Sequence, residues 1–261
     1  MKTFNYHTPK DVKEASNLAS TSSAFLAGGM TTIPSIKLGL ATYKDIIDIK
    51  SIKKLSGIKV SGKSVTIGAT TKHAEVAASK EVQKAIPALA KLAGNIGDAQ
   101  VRNRGTIGGS ISNNDPSACY PSACMALNAV IHTNSRKIPA EKFFTGMFET
   151  ALKKGELVEA VEFQVPEKAD YQKHPNPASR YAVVGVYIAK HKSGVRVAVT
   201  GAKPCVYNDN DLSKALESDF SASSVAGMKL KSSDMNSDIH ASAEYRANLV
   251  VIQAKKAVEA C

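Results

Sequence analysis

Two short stretches pair glycines with hydroxyl side chains: Leu26-Ala27-Gly28-Gly29-Met30-Thr31-Thr32 and Thr106-Ile107-Gly108-Gly109-Ser110. The chemistry these residues offer is anion binding. Glycine tolerates positive φ and lets successive backbone N–H groups converge on one oxyanion, and Ser or Thr hydroxyls add donors without a lysine. The first stretch leaves an apolar, strand-like run and enters a helix-like one. A single Gly-Gly pair is an ordinary turn signal. Two of them suit a ligand with two anionic ends, such as a diphosphate. The second pair belongs to GTIGGSISNNDPSACYP, Gly105–Pro121, whose glycines, Ser/Asn run and prolines predict a long loop.

Other chemistries find no support. No GxGxxG follows the first strand-like segment, no GxSxG elbow occurs, and none of the six histidines lies in HExxH. The four cysteines, Cys119, Cys124, Cys205 and Cys261, form no CxxC pair and read as reduced thiols, so no metal site is expected. The net charge of +11 comes from 34 Lys+Arg against 23 Asp+Glu, spread as singles and pairs. That spacing describes a solvated basic face, with no basic arm for nucleic acid. The opening MKTFNYHTPK lacks the apolar core of a signal peptide, and the strongest apolar run, Tyr181–Ala189, is too short to cross a bilayer. A cytoplasmic location without a transmembrane segment is expected.

The elements that must position the glycine turns follow from periodicity. Phe4–His7 and Ala24–Leu26 read as strands, a helix capped by Thr8 lies between them, and IIDI supplies a third strand. Together they predict a small βαβ-type unit. Ile58–Val60 and Ser64–Ile67 predict a hairpin around Ser61-Gly62-Lys63. His73–Ala78 and Glu81–Leu92 predict helices, the second ended by a glycine cap near Gly94. Ser122–Ala129 reads as helix or strand. Ala129–Thr133 and Leu157–Val165 read as strands. Pro166–Pro177, with three prolines, marks a domain boundary. Beyond it, Tyr181–Lys190 and Gly194–Gly201 predict antiparallel strands. The remainder is expected to be mostly helical, closing with an amphipathic helix from about Ser242 to Ala260.

Several runs carry a family resemblance in one order: LAGGMTTIP at Leu26–Pro34, NIGDAQVRNRGTIGG at Asn95–Gly109, NNDP at Asn113–Pro116, GELVEAVEFQVP at Gly155–Pro166 and AEYRANLV at Ala243–Val250. The chain resembles the FAD-binding medium subunit of the molybdenum hydroxylases, the family that includes aerobic carbon monoxide dehydrogenase and xanthine dehydrogenase. The resemblance implies an α+β fold. Two subdomains of the vanillyl-alcohol-oxidase type, 1–55 and 56–174, would bind FAD. A C-terminal domain, 175–261, would pack a three-stranded antiparallel sheet on helices. Ala27, Gly28, Gly29, Met30 and Thr31, with Thr106, Gly108, Gly109 and Ser110, would cradle the diphosphate through backbone N–H groups. Ile96 and Gly97 would line the cofactor, Asn114 and Asp115 would lie close by, and Leu157 or Val158 would flank the isoalloxazine edge. Tyr181 falls where carbon monoxide dehydrogenase-like members place an aromatic near the ring; read alone it is one more strand residue. Cys119 stands where many relatives carry an Asp that bonds the flavin, and Met30 where a His or Thr is common. No cysteine-rich insertion for an extra cluster is present.

The implied function is electron transfer. A large molybdopterin-binding subunit would oxidise substrate, a small subunit with two [2Fe–2S] clusters would relay electrons, and FAD here would pass them to a quinone, NAD or oxygen. A dimer of heterotrimers is the implied assembly. No acid, base or nucleophile is assigned to this chain. The alternatives are a flavin-free assembly or structural module of the same complex, and a basic nucleic-acid-binding protein.

Overall fold

The computed structural model describes residues 2–261. Its first unit is a parallel sheet in the order β1-β3-β2, from β1 (Asn5–His7), β2 (Ser23–Leu26) and β3 (Asp45–Asp48), joined by α1 (Val12–Leu18) and α2 (Thr32–Lys37). This is the expected βαβ unit. The cap differs: Asp11, not Thr8, starts α1, its carboxylate accepting the Glu14 N–H at 2.8 Å. An ionised oxygen in the first turn satisfies an orphan donor better than a hydroxyl three residues upstream.

The second sheet is antiparallel, in the order β4-β5-β10-β6-β7. A tight hairpin joins β4 (Ile58–Ser61) to β5 (Ser64–Gly68), turning at Gly62 with φ of 56°. Gly57–Ser64 has the letters of a phosphate-binding P-loop, GxxxxGK followed by Ser. With the Gly62-Lys63 turn joining two strands and no helix following, that chemistry is absent here. A helical layer follows: α3 (His73–Ala78), α4 (Lys80–Ala85), α5 (Pro87–Gly94), α6 (Ala99–Arg104), α7 (Ile107–Asn113) and α8 (Tyr120–Ala126). Then come β6 (Val130–Thr133), β7 (Lys137–Pro139), α9 (Ala140–Phe143), a short hairpin of β8 (Phe144–Gly146) and β9 (Glu149–Thr150), and β10 (Val158–Gln164). Alternate residues Val65, Ile67, Ile131, Val161 and Phe163 bury against Leu89, Leu92, Ile107 and Tyr120 of the helices.

Three sequence expectations fail in this layer. The single helix over Glu81–Leu92 is two, because Pro87 has no N–H to continue α4 and opens α5 instead. No left-handed glycine caps it; Asn95 is the C-cap, and Gly97, two residues on, takes positive φ. The long loop over Gly105–Pro121 is largely helical. Ile107 and Ile111, one turn apart, both bury, and that packing outweighs the helix-breaking tendency of Gly108 and Gly109.

The third sheet is antiparallel, β11-β12-β13-β14, from β11 (Lys168–Pro175), β12 (Ala182–His191), β13 (Gly194–Thr200) and the two-residue β14 (Tyr207–Asn208). The expected three-stranded sheet thus carries a short fourth edge strand. The proline-bearing stretch taken as a connector is mostly β11, so the break expected at 174/175 falls at the last residue of a strand. Its prolines lie before, at the end of and beyond that edge strand, at Pro166, Pro175 and Pro177, where a missing N–H is tolerated. Every residue from Ala182 to Ala189 is buried. Val184, Val186 and Ile188 face α10 (Asn210–Ser218) and α11 (Ala243–Glu259), whereas Tyr187 and Ala189 join the core of the second sheet. Burial on both faces explains the continuous apolar run. The closing helix forms as expected, capped by Ser242. Between α10 and α11, residues 219–241 hold no helix or strand, contrary to the mostly helical expectation.

Candidate functional site

Both glycine turns meet at one cavity of about 480 Å³ between the three sheets, a size ordinary for a cofactor or ligand site. The first turn leaves the C-terminal end of β2 and reaches α2 through Ala27–Thr31. Gly29 adopts φ of 75°. Among the described residues, no hydrogen bond within the chain engages the N–H groups of Gly28, Gly29, Met30 or Thr31. Four consecutive free donors at a parallel-strand end form a concavity suited to an oxyanion.

The second turn is the start of α7. Thr106 caps it, its Oγ1 accepting the Gly109 N–H at 3.1 Å. The Ile107 and Gly108 amides are already bonded, to Thr71 O at 3.2 Å and Ala69 O at 2.8 Å, and the Ser110 amide to Thr106 O. This corrects the expected symmetric cradle: the second turn cannot offer a row of free amides. Its glycines serve approach. A Cβ on Gly108 would lie 2.5 Å from the Ala69 Cβ, so Gly108 seats the helix on β5. A Cβ on Gly28 would overlap the Arg104 carbonyl and lie 2.8 Å from Gly105 Cα, so the first turn rests directly on the backbone leading into the second. A Cβ on Gly109 would meet only Thr106 Oγ1 at 3.0 Å and Ala27 Cβ at 4.0 Å, which leaves it facing the cavity.

The other end of the cavity is chemically different. Asp115, Cys119, Lys173, Arg180 and Tyr181 line it. Lys173 Nζ donates to Asn95 O at 2.5 Å and Arg180 O at 3.0 Å, and lies 3.7 Å from Cys119 Sγ. Asp115 accepts the Ser117 N–H at 2.8 Å, and burial pushes its carboxyl pKa up. Burial also raises the Tyr181 phenol, with Asp115 and then Cys119 adding to the shift.

Residues 2–167 match the family described as the FAD binding domain in molybdopterin dehydrogenase. The chain belongs to this FAD-binding family. It is 33% identical to the carbon monoxide dehydrogenase medium chain of Hydrogenophaga pseudoflava, over 98% of this chain and 96% of that one. It is also 33% identical to the glyceraldehyde dehydrogenase medium chain of Sulfolobus acidocaldarius, over 97% and 96%. Among solved structures, carbon monoxide dehydrogenase from Hydrogenophaga pseudoflava lacking the Mo-pyranopterin moiety superposes with a TM-score of 0.89 and 30% identity, covering 99% and 97% of the chains.

FAD fits this cavity. The free amides of the first turn and the side-chain-free surface at Gly109 would take an oxyanion, and Ile96, Leu157 and Val158 give apolar wall. All the residues expected around the cofactor line the cavity except Asn114. Asn114 is buried with φ of 44°, and its amide donates to Gly146 O and Glu149 O, each at 2.8 Å. It braces the β8–β9 hairpin and faces away from the cavity. Its neighbour Asp115 is the one that looks inward.

Sequence reasoning missed four titratable residues of the wall: His73, Glu156, Lys173 and Arg180. His73 opens a helix and lies in no ligand motif of the sequence. It is buried with no partner for Nδ1, and burial, helped by the Arg102 charge, holds its pKa down at about 4. Gly105 is glycine for its sake: a Cβ there would lie 2.6 Å from His73 Nε2. Glu156 is held by Arg136 at 2.9 and 3.0 Å and by Thr133, Ser135 and the Lys153 amide. Lys173 and Arg180 reach the site from β11 and its following loop, far from either glycine motif. No local spacing signals them.

Proposed function

We propose that the chain is the electron-transferring flavoprotein subunit of a molybdenum-containing dehydrogenase. FAD held in this cavity would supply the one- and two-electron chemistry that links the [2Fe–2S] clusters of a small partner subunit to a quinone, NAD or oxygen acceptor. Substrate oxidation belongs to a large molybdopterin-binding subunit, in a dimer of heterotrimers. The observation that carries the reading is the run of four unpartnered amides at Gly28–Thr31, packed on the chain that enters α7 at one end of a single cavity.

The chain's residues divide the work. The first turn holds the diphosphate, and Gly109 lets it approach the start of α7. Leu157 and Val158 exclude water from one flank, and the Asp115–Tyr181 end surrounds the ring. Parts 1–55 and 56–174, the second bringing Lys173, grip the cofactor, and the C-terminal part closes the cavity with Arg180 and Tyr181. No helix among the described residues is long and apolar enough to cross a membrane, and a cytoplasmic place suits a thiol-bearing chain with no disulfide among those residues. The test is direct. The purified chain should be yellow or turn yellow with added FAD, showing the two visible bands of oxidised flavin. A folded, colourless protein that ignores FAD refutes the reading.

A further inference from the structure

The cavity holds one carboxylate without a cationic partner. Glu156 is saturated by Arg136, Thr133, Ser135 and the Lys153 amide. Asp115 has a single hydrogen bond, from the Ser117 amide to Oδ1, and none to Oδ2. Lys173 is committed to Asn95 O, Arg180 O and the Cys119 thiol, and the Arg180 side chain reaches Gly97 O at 3.4 Å. Among the described residues neither makes a salt bridge to Asp115, whose surroundings are burial and the Ser117 amide. In a chain of net charge +11, a half-buried acid that faces a ligand cavity and recruits no cation is unusual.

Building on the flavoprotein reading, we propose that Asp115 is the group that binds a proton when electrons enter this cavity. The balance is simple. Two electrons arrive from the partner's iron–sulfur clusters, or from a chemical reductant. They add negative charge beside Asp115, and the carboxylate takes one proton from water to become the neutral acid. On reoxidation it returns that proton. The other titratable groups facing the space do not compete. Lys173 and Arg180 spend donors on backbone carbonyls, the Tyr181 phenol is shifted up, away from ionisation, and His73 is buried with its pKa held down at about 4. Cys119 is a thiol beside an ammonium group. Burial has already moved Asp115 upward, so it is the acid nearest to proton exchange before any electron arrives.

The test is the pH dependence of the flavin midpoint potential, measured on the full chain loaded with FAD by reductive titration from mildly acidic to mildly alkaline pH. One proton taken up per two electrons is a tenfold change in equilibrium per pH unit, about 30 mV. The unaltered protein should show a pH interval steeper by that amount than Asp115→Asn. Above the interval, Asp115→Asn should sit at the more positive potential, because a fixed negative charge is gone. Asp115→Glu should keep the steep interval and move its position. Reduction of the unaltered protein should also generate a carboxylic-acid C=O band in the infrared difference spectrum, shifted in Asp115→Glu. Superimposable profiles for the unaltered and Asn proteins overturn the proton assignment and leave FAD binding standing. Absence of the infrared band overturns it even where the Asn variant takes up no flavin. A chain that binds no FAD overturns this proposal together with the functional reading beneath it.

Discussion

The Gly28→Ala substitution tests how tightly fold and site are joined. Its new Cβ would overlap the Arg104 carbonyl oxygen and lie 2.8 Å from Gly105 Cα, where ordinary contact begins at 3.4 Å. Both obstacles are backbone, so no side chain can rotate away. The first turn must lift from the chain entering α7. Overpacking of this kind costs about 1–3 kcal/mol, and for a chain of this size each kcal/mol lowers Tm by about 2–4 °C. Lifting the turn also moves its amides off the phosphate oxygens. Losing two charge-assisted hydrogen bonds at about 1.5–3 kcal/mol each weakens FAD binding by about a hundredfold or more. Gly109→Ala is the matched control. Its Cβ meets no backbone, only Thr106 Oγ1 at 3.0 Å, which must give slightly, and alanine within a helix gains about 0.5–1 kcal/mol over glycine in return. The apo-protein should be as stable as the original, yet bind FAD less well. Flavin fluorescence titration and differential scanning calorimetry read both quantities. Gly28→Ala with unaltered Tm and affinity, or Gly109→Ala with unaltered affinity, would refute the placement of the turns against the ligand.

Two further outcomes follow from buried charge. Glu156 has its pKa lowered from 4.5 to about 2, by Arg136 first and then by Thr133, the Lys153 amide and Ser135, against the opposing effect of burial. A depressed folded-state value means that the stabilisation is complete above pH 4.5 and is lost as pH falls through 4.5 toward about 2. Urea midpoints recorded across that window should drop more steeply for the unaltered protein than for Glu156→Gln; parallel curves would remove Glu156 from the account. Arg246 is buried on α11 and donates to Val183 O at 2.6 Å, Gly201 O at 3.0 Å and Asp238 at 2.7 Å. Arg246→Ala strands two buried carbonyls and, at about 1–3 kcal/mol for each, should cost about 2–6 kcal/mol in equilibrium unfolding, whereas a loss under 1 kcal/mol would show that the pin is dispensable.

What the sequence made legible and what it hid divide along a physical line. Strands with alternating burial, the hairpin at Gly62 and the Ser242-capped helix depend on local pattern, and each formed where pattern placed it. Gly105–Pro121 misled because its composition is that of a loop, while its helices are held by Ile107, Ile111 and Tyr120 packing into the second sheet. Core contacts from distant chain segments outweigh local propensity there. The site residues near the glycine motifs were readable because backbone geometry restricts residue type. Lys173, Arg180 and His73 were not, since an ammonium, a guanidinium or an imidazole in a wall carries no local signature. Asn114 shows the converse: the family resemblance sets it close to the cofactor, whereas its side-chain amide is spent on the β8–β9 hairpin carbonyls of Gly146 and Glu149.

Cys119 is where these lines meet. The family resemblance places an Asp there that bonds the flavin, and the thiol in its place carries no fixed negative charge. With a carboxylate at that point, Lys173 would have a counter-ion 3 to 4 Å away, judging by its 3.7 Å approach to Sγ. With a thiol, the ammonium turns to the carbonyls of Asn95 and Arg180 and its charge stays uncompensated. The Asp115–Tyr181 end of the cavity then holds an ammonium without a carboxylate partner and a carboxylate without a cation on different walls, Lys173 on β11 and Asp115 beyond α7. An unpaired positive charge beside a redox centre favours its reduced, more negative state. The same asymmetry leaves Asp115 as the one mobile charge able to answer the arriving electrons. Restoring the acid by Cys119→Asp should therefore lower the flavin potential; an unmoved potential would show that position 119 does not sense the ring.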